Sequence, residues 1–237
     1  MTFSSIASSS DGNAYIVDNG TDKLLIECGI PIKQLQIKLD HAVHTLRGCL
    51  ISHEHKDHCK SADDIIACGV PVYASEGTAI EIGNKQINIL SPPEVAIVGT
   101  YKILPFKLFH DAADPLGFYI MDMFTGEKLL FATDTYNIAY NVKDVTIAAL
   151  ECNYLTAILE KSEKLNEKVK QRIMRNHFEI GRLLEYIKTI TLTKCREIYL
   201  LHLSDACSDE LLFVNMIKTL CAEMGAPNVK VMACRKG

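Results

Sequence analysis

Between residues 53 and 58 the chain reads His53-Glu54-His55-Lys56-Asp57-His58, which places three of its eight histidines and an Asp within six positions. In extended backbone, side chains two apart point the same way, so His53 and His55 can converge on one point. A turn after them would present Asp57 and His58, an oxygen and a nitrogen, toward a second point. Imidazole together with carboxylate suits zinc, manganese or iron far better than calcium or magnesium. A polar surface turn is the competing reading. Four ligand-type side chains in six residues, directly after the apolar run Cys49-Leu50-Ile51, favour the metal site.

Two metals need more ligands, and further candidates stand where apolar runs end. His110 terminates Lys107-Leu108-Phe109, ahead of Asp111; Asp134 follows Leu130-Phe131-Ala132-Thr133; His202 follows Tyr199-Leu200-Leu201. Taken singly, each reads more readily as a satisfied structural residue. Their shared context raises them, because strands that end on one edge of a sheet place such side chains on one rim.

The elements that must position these residues are short. Ala14–Val17 and Lys23–Ile26 read as strands joined by Asp18-Asn19-Gly20, a sequence with hairpin chemistry. Pro31 opens a short helix with apolar residues at 32, 35, 37 and 39. Strand-like pieces follow at 49–51, 70–73, 86–90, 102–109, 117–121, 128–132 and 145–150. The last third turns helical: 155–175 is rich in Lys, Glu and Leu, and 179–190 has apolar residues at 180, 183, 184, 187 and 190. Ile198–Leu201 is a strand, 209–224 a capped amphipathic helix closed by Gly225, and 229–232 a final edge strand. No linker or internal period divides the 237 residues, so a single α/β (α+β) layered domain over 1–237 is expected.

Composition narrows the function classes. Hydrophobic residues make up 48% and charged ones 23%, which excludes a disordered or fibrous chain. The formal charge of -4 excludes a strongly basic protein, so any nucleic-acid contact must come from a local patch or a metal. No apolar run approaches the roughly 18 residues that span a bilayer, and Met1–Ser5 lacks the features of a secretion signal. Nine cysteines without a CxxC pair read as reduced, mostly buried residues of a cytoplasmic protein, with Cys59 assigned to packing.

HxHxDH, a distant His110, an Asp in Ala132-Thr133-Asp134-Thr135 and a late His202 together resemble the metallo-β-lactamase superfamily over nearly the whole chain. Within it, Ser8-Ser9-Ser10-Asp11-Gly12-Asn13, Phe109-His110-Asp111-Ala112 and Leu201-His202-Leu203-Ser204 look most like the small bacterial YycJ (WalJ) group. That group is nuclease-like and lies close to the tRNase Z type phosphodiesterases. The resemblance implies a four-layer αβ/βα sandwich with two divalent ions, zinc foremost and manganese or iron as alternatives. It assigns His53, His55 and His110 to the first ion and Asp57, His58 and His202 to the second, with Asp134 bridging. A metal-bridging hydroxide would attack the substrate. Glu151, after a strand, and His177, in the Asn176-His177-Phe178 segment that opens the helix running from about Glu179, match a pair in the tRNase Z branch, where the His faces the scissile phosphate and the Glu orients its ring. Asp57, Glu151 and His177 therefore form the implied catalytic set.

Two departures stand out: Glu27-Cys28-Gly29 replaces the usual Asp-x-Gly, and Lys60 replaces a Gly two residues beyond the motif. The usual Asp orients ligand imidazoles from behind, a role Glu27 would inherit. The expected activity is a phosphodiesterase or nuclease acting on DNA or RNA. The alternative is an acyl hydrolase of thioesters, lactones or β-lactams on the same metals, which would have no use for His177. Lys161, Lys164, Lys168, Lys170, Arg172 and Arg175 read as a solvated helix face, because Glu160, Glu163 and Glu167 are interleaved with them. The length leaves no room for the β-CASP insert, and no arm of the kind tRNase Z uses to grip tRNA is evident, so tRNA processing itself is not expected.

Overall fold

The turn Asp18-Asn19-Gly20 is built by its own side chains. Asp18 Oδ1 accepts the Gly20 N–H at 2.7 Å, and Asn19 Oδ1 accepts those of Thr21 and Asp22 at 3.0 and 2.9 Å. Gly20 stands at φ +84°, where a side chain would be strained. The computed structural model describes residues 1–234, in which the chain forms two compact units: 1–107 with 112–127, and 108–111 with 128–234.

The first unit holds a six-stranded sheet in sequential order: β1 (Thr2–Ser9), β2 (Gly12–Asp18), β3 (Lys23–Ile26), β4 (Gly48–Leu50), β5 (Val72–Ala74) and β6 (Asn88–Ile89). The first three strands are antiparallel and the rest parallel, so each later connection must cross over. The crossovers carry α1 (Ile32–Lys38), α2 (Lys56–Cys59), α3 (Ala62–Ala67) and α4 (Glu76–Ile82). Leu35, Ile65 and Ala79 from these helices pack with Leu25, Cys49 and Val72 of the sheet, and with Ile51 just after β4, in one buried cluster. An antiparallel meander follows, β7 (Ala96–Val98), β8 (Tyr101–Lys107) and β9 (Leu116–Asp122).

Asp22 ties the meander to the β2–β3 turn. Its carboxylate accepts Arg47 Nε at 2.6 Å and the Thr100 N–H at 2.9 Å, and its carbonyl accepts the Tyr101 hydroxyl at 2.8 Å. Burial alone would raise its pKa, but the Arg47 and Thr100 bonds outweigh it and hold the carboxyl below its ordinary value.

The second unit is a parallel sheet of β10 (Lys128–Ala132), β11 (Ile147–Glu151), β12 (Glu197–Leu201) and β13 (Lys230–Ala233). Its central strands are buried along nearly their whole length, which suits a parallel sheet covered on both faces. α5 (Thr156–Lys161), α6 (Glu167–Asn176) and α7 (Ile180–Thr189) connect β11 to β12, and α8 (Glu210–Glu223) connects β12 to β13. α7 buries Leu183 and Ile187, and α8 buries Phe213 and Ile217. The pairings Ala132↔Leu150 and Glu151↔Leu201 bring the C-terminal ends of β10, β11 and β12 level.

The structure departs from the sequence expectations in several places. Thr2–Ser9 is a strand although its serines mask any apolar alternation. α2, α3 and α4 are helices too short for periodicity to show. The segment 155–175 is two helices, because Leu165 turns in to the small core of Tyr154, Leu159 and Cys207 while Asn166 caps α6 by accepting the Val169 N–H at 3.0 Å. β8 stops at Lys107, so a loop delivers His110 rather than a strand end.

All nine cysteines are free, and only Cys68, at the end of α3, is not buried. Burial pushes the Cys59 thiol up to about 12, consistent with its packing role. No helix among the described residues is long and apolar enough to cross a membrane.

Asp22→Ala strands the Arg47 and Thr100 donors and is expected to cost about 1–3 kcal/mol, read as a lower urea midpoint at constant slope. Because the folded pKa of Asp22 is depressed, its contribution is present above the ordinary carboxylate value of about 3.9 and is lost as pH falls through the lower folded value. The gap between the native protein and the variant should therefore close in acid.

Candidate functional site

In the first unit, the chain leaves β4 through Ile51, whose N–H is bonded to the Tyr73 carbonyl at 2.9 Å, and then breaks from the sheet. His53 is fully buried and its Nδ1 lies 2.8 Å from Ser52 Oγ, which turns Nε2 toward His55 Nδ1 at 3.1 Å. His55 occupies the N-cap position of α2, so the next turn lifts Asp57 and His58 onto the helix. His58 stacks obliquely on His53 with ring centroids 4.1 Å apart, and its Nε2 lies 3.3 Å from Asp57 Oδ2. Tetrahedral zinc with Zn–N of about 2.0–2.1 Å spaces neighbouring donors by about 3.3 Å. The 3.1 and 3.3 Å separations therefore fit metal donors.

Behind these rings stands Glu27, fully buried at φ +62°, with Oε2 3.6 Å from His58 Nδ1 and Oε1 accepting the Ser52 N–H at 3.2 Å. Burial raises the Glu27 pKa, and the His58 and Ser52 contacts work against that rise. Gly29 is obligatory: a Cβ there would fall 1.6 Å from the Asp57 carbonyl oxygen. The Asn13 amide reaches both the Asp57 carbonyl and His58 Nε2, each at 3.2 Å. Glu54 turns away from the cluster, accepting the Ala113 N–H at 2.7 Å and the Thr78 hydroxyl at 3.4 Å.

The second unit gathers His110, Asp134, Glu151, His177 and His202. Asp134 (φ +45°) and His202 (φ +52°) follow β10 and β12 in the left-handed region, and Asp134 Oδ1 lies 2.7 Å from His202 Nδ1. His110 Nδ1 lies 3.1 Å from the Asn176 carbonyl, and Nε2 is 3.7 Å from Asp134 Oδ2. Such a carbonyl behind one ring nitrogen is how ligand imidazoles are commonly oriented. Asp134, Glu151, His177 and His202 offer donor atoms all within 4.8 Å of one another.

Glu151 is largely committed to the protein. Oε2 accepts the Thr135 and Phe178 N–H groups at 2.7 and 3.2 Å, and Oε1 takes His177 Nδ1 at 2.6 Å and lies 3.4 Å from His202 Nδ1. His177 does not open α7. It sits in extended backbone as the C-cap of α6, with Glu179 capping α7 two residues later.

Burial would lower the His177 pKa, but the Glu151 carboxylate and its hydrogen bond, with Asp134 beyond, raise it above the ordinary value. Burial also opposes protonation of His202, yet Asp134 and Glu151 lift it to about 10. A divalent ion would take the place of that proton. His110 is shifted down, chiefly by burial.

His53, His55, Asp57 and His58 thus meet in one unit, and His110, Asp134, Glu151, His177 and His202 in the other. Sequence reasoning missed Asn13 and Ser52 as partners of the ligand rings. Asn13 lay in the 8–13 segment that carries the family resemblance, without a role assigned to it, and Ser52 was marked by its position next to the motif.

No family model matches the chain. Exodeoxyribonuclease YycJ of Bacillus anthracis is 30% identical over 224 residues, covering 86% of this chain and 83% of that protein. Exodeoxyribonuclease WalJ of Streptococcus pneumoniae is 27% identical over a 248-residue alignment, covering 94% and 90%. Among solved structures, the metallo-β-lactamase fold protein YhfI of Bacillus subtilis matches with a TM-score of 0.74 at 15% identity, over 99% of this chain and 97% of that one.

Glu27→Gln keeps the volume and removes the charge behind His58. It is expected to weaken metal binding about 10–100-fold in chelator competition, while thermal unfolding stays cooperative.

Proposed function

The chain belongs to the metallo-β-lactamase superfamily, in its YycJ/WalJ family, and has that superfamily's mixed α/β fold and metal-dependent hydrolase activity; on that premise we propose that it is a dinuclear phosphodiesterase acting on DNA or RNA, with residues 1–237 working as one hydrolase domain. His53, His55 and His110 would hold one ion and Asp57, His58 and His202 the other, with Asp134 shared between them. Zinc is the first choice, and the donor set also accepts manganese or iron. When bound, the ion pair supplies activation of the attacking water and neutralises charge at phosphorus. The free cysteines suit a reducing compartment, and we assign the protein to the cytoplasm.

The observation that carries this reading is the Glu151–His177 pair. A buried carboxylate 2.6 Å from Nδ1 fixes the ring and favours its protonated form, so that Nε2–H is left to serve as a donor. An alkoxide leaving group needs such a proton, whereas acyl substrates with better leaving groups do not. The curated relatives named as exodeoxyribonucleases point the same way.

His177→Ala is expected to slow cleavage of an oligonucleotide by about 10²–10⁴-fold with bound metal unchanged by elemental analysis. The loss should be smaller on bis(p-nitrophenyl) phosphate, whose leaving group departs without help. An equal loss on both substrates would remove His177 from the acid role, and turnover of an acyl substrate unaffected by the change would favour the acyl hydrolase.

A further inference from the structure

Lys168, Arg172 and Arg175 fall in a stretch where cations and glutamates alternate along the sequence, and the break between α5 and α6 separates those charges in space. Glu160 lies in α5 and Glu163 in the connection, so Glu167, in the first turn, is the one carboxylate on α6 itself. Against it stand Lys168, Lys170, Arg172 and Arg175. At 3.6 residues per turn, positions 168, 172 and 175 lie within about 60° of one another. They face away from Lys170, whose Nζ donates to the Glu160 carbonyl at 2.8 Å. All three are exposed. Among the described residues neither Lys168 nor Arg175 has an ion-pair or hydrogen-bond partner for its side chain. Arg172 Nε holds Asp111 at 3.0 Å, with most of its guanidinium in solvent.

Packing and helix electrostatics do not account for this stripe. α6 buries no residue, and half-buried Ile173 is its contact with the core of Tyr154, Leu159 and Cys207. A cation in the last turn answers the helix dipole, which explains Arg175. Lys168 stands in the first turn, where the dipole disfavours positive charge. The stripe also leads somewhere. α6 ends on His177, its C-cap, and the Asn176 carbonyl lies 3.1 Å from His110 Nδ1. At 1.5 Å per residue, Lys168 and Arg172 are spaced by about 6 Å along the axis and Arg172 and Arg175 by about 4.5 Å. The cations therefore form a row that runs up to the proposed acid, as a chain of phosphates requires. A compact phosphodiester or a thioester held at His177 would not extend to Lys168, about 13 Å back along the axis.

We propose that α6 seats the sugar–phosphate backbone of a nucleic acid on the leaving-group side of the scissile bond, with Lys168, Arg172 and Arg175 meeting successive phosphates. Such contacts set the register of the strand without reading its bases. The proposal rests on the phosphodiesterase reading and adds the surface that makes the substrate a polymer.

The test measures kcat/KM on an oligonucleotide over a range of salt for the metal-replete native protein, Lys168→Gln, Arg175→Gln and the double variant. Bis(p-nitrophenyl) phosphate, too small to reach α6, is the control, and its turnover should stay unchanged. Each substitution is expected to flatten the log–log salt dependence by about 0.7–0.9, so that an about fourfold rise in salt costs the variant about 3-fold less than the native protein. Neutral methylphosphonate placed one linkage at a time should lower native kcat/KM at positions on the leaving-group side, and the double variant should lose nothing further there. An unchanged salt slope and an unchanged methylphosphonate profile in the double variant would overturn the backbone seat while leaving the phosphodiesterase standing. Those same unchanged profiles with lost binding to phosphatidylserine vesicles would overturn it in favour of a membrane. Failure of the native protein to cleave any oligonucleotide or bis(p-nitrophenyl) phosphate would overturn the reading beneath it.

Discussion

A carboxylate sealed from water must collect its hydrogen bonds from the protein or give up its charge, and Glu151 is under that constraint at the end of β11. It is fully buried, and it is met by two backbone N–H groups and the ring of His177, with His202 close by. Burial favours the neutral acid, but the His177 charge and the hydrogen bonds hold the pKa below its ordinary value. The donors come from three separate stretches of chain: the loop after β10, the elbow between α6 and α7, and the residue that follows β12. Satisfying one buried charge therefore also assembles the side chains around it, which is how a polar cluster gains definite geometry in a low-dielectric setting.

Backbone strain accompanies this assembly. Glu27, Asp134 and His202 all adopt the left-handed conformation, which costs a non-glycine residue about 1–3 kcal/mol. Each lies within two residues of a strand's end, where the chain must turn sharply to aim a polar side chain instead of extending the sheet. The cost is offset locally. Glu27 accepts the Ser52 N–H, Thr133 Oγ1 donates to Asp134, and the Asn153 amide donates to the His202 carbonyl at 2.8 Å. A residue pinned in this way has little freedom to relax when a neighbouring group changes, so the site is set by its scaffold.

Local pattern accounts for what the sequence revealed. His53, His55, Asp57 and His58 were legible because four donors within one turn need no knowledge of the rest of the fold. β10, β11 and β12 were legible as unbroken apolar runs, and α7 by its spacing. Glu54 stands inside that motif without belonging to its donor set, and its partners Thr78 and Ala113, far along the chain, make it a brace. Asn13 carried no chemical pattern of its own, since its role exists only once Gly29 lets the β3 exit loop close on Asp57. The break between α5 and α6 was hidden because Lys and Glu suit a helix on either side of it. His110 seemed to end a strand only because Leu108 and Phe109 are apolar, whereas hydrogen bonds to the loop after β10 lift that stretch out of the sheet.

Eight sulfhydryls lie inside the fold and the ninth, Cys68, is half-buried, packed against the core of the first unit with the Gln36 amide 3.8 Å from its sulfur. A maleimide dye offered to the folded chain therefore meets at most this one partly exposed thiol, at the end of α3, without any engineered residue. Uptake beyond one equivalent reports that the interior has opened, so dye stoichiometry doubles as a gauge of folding.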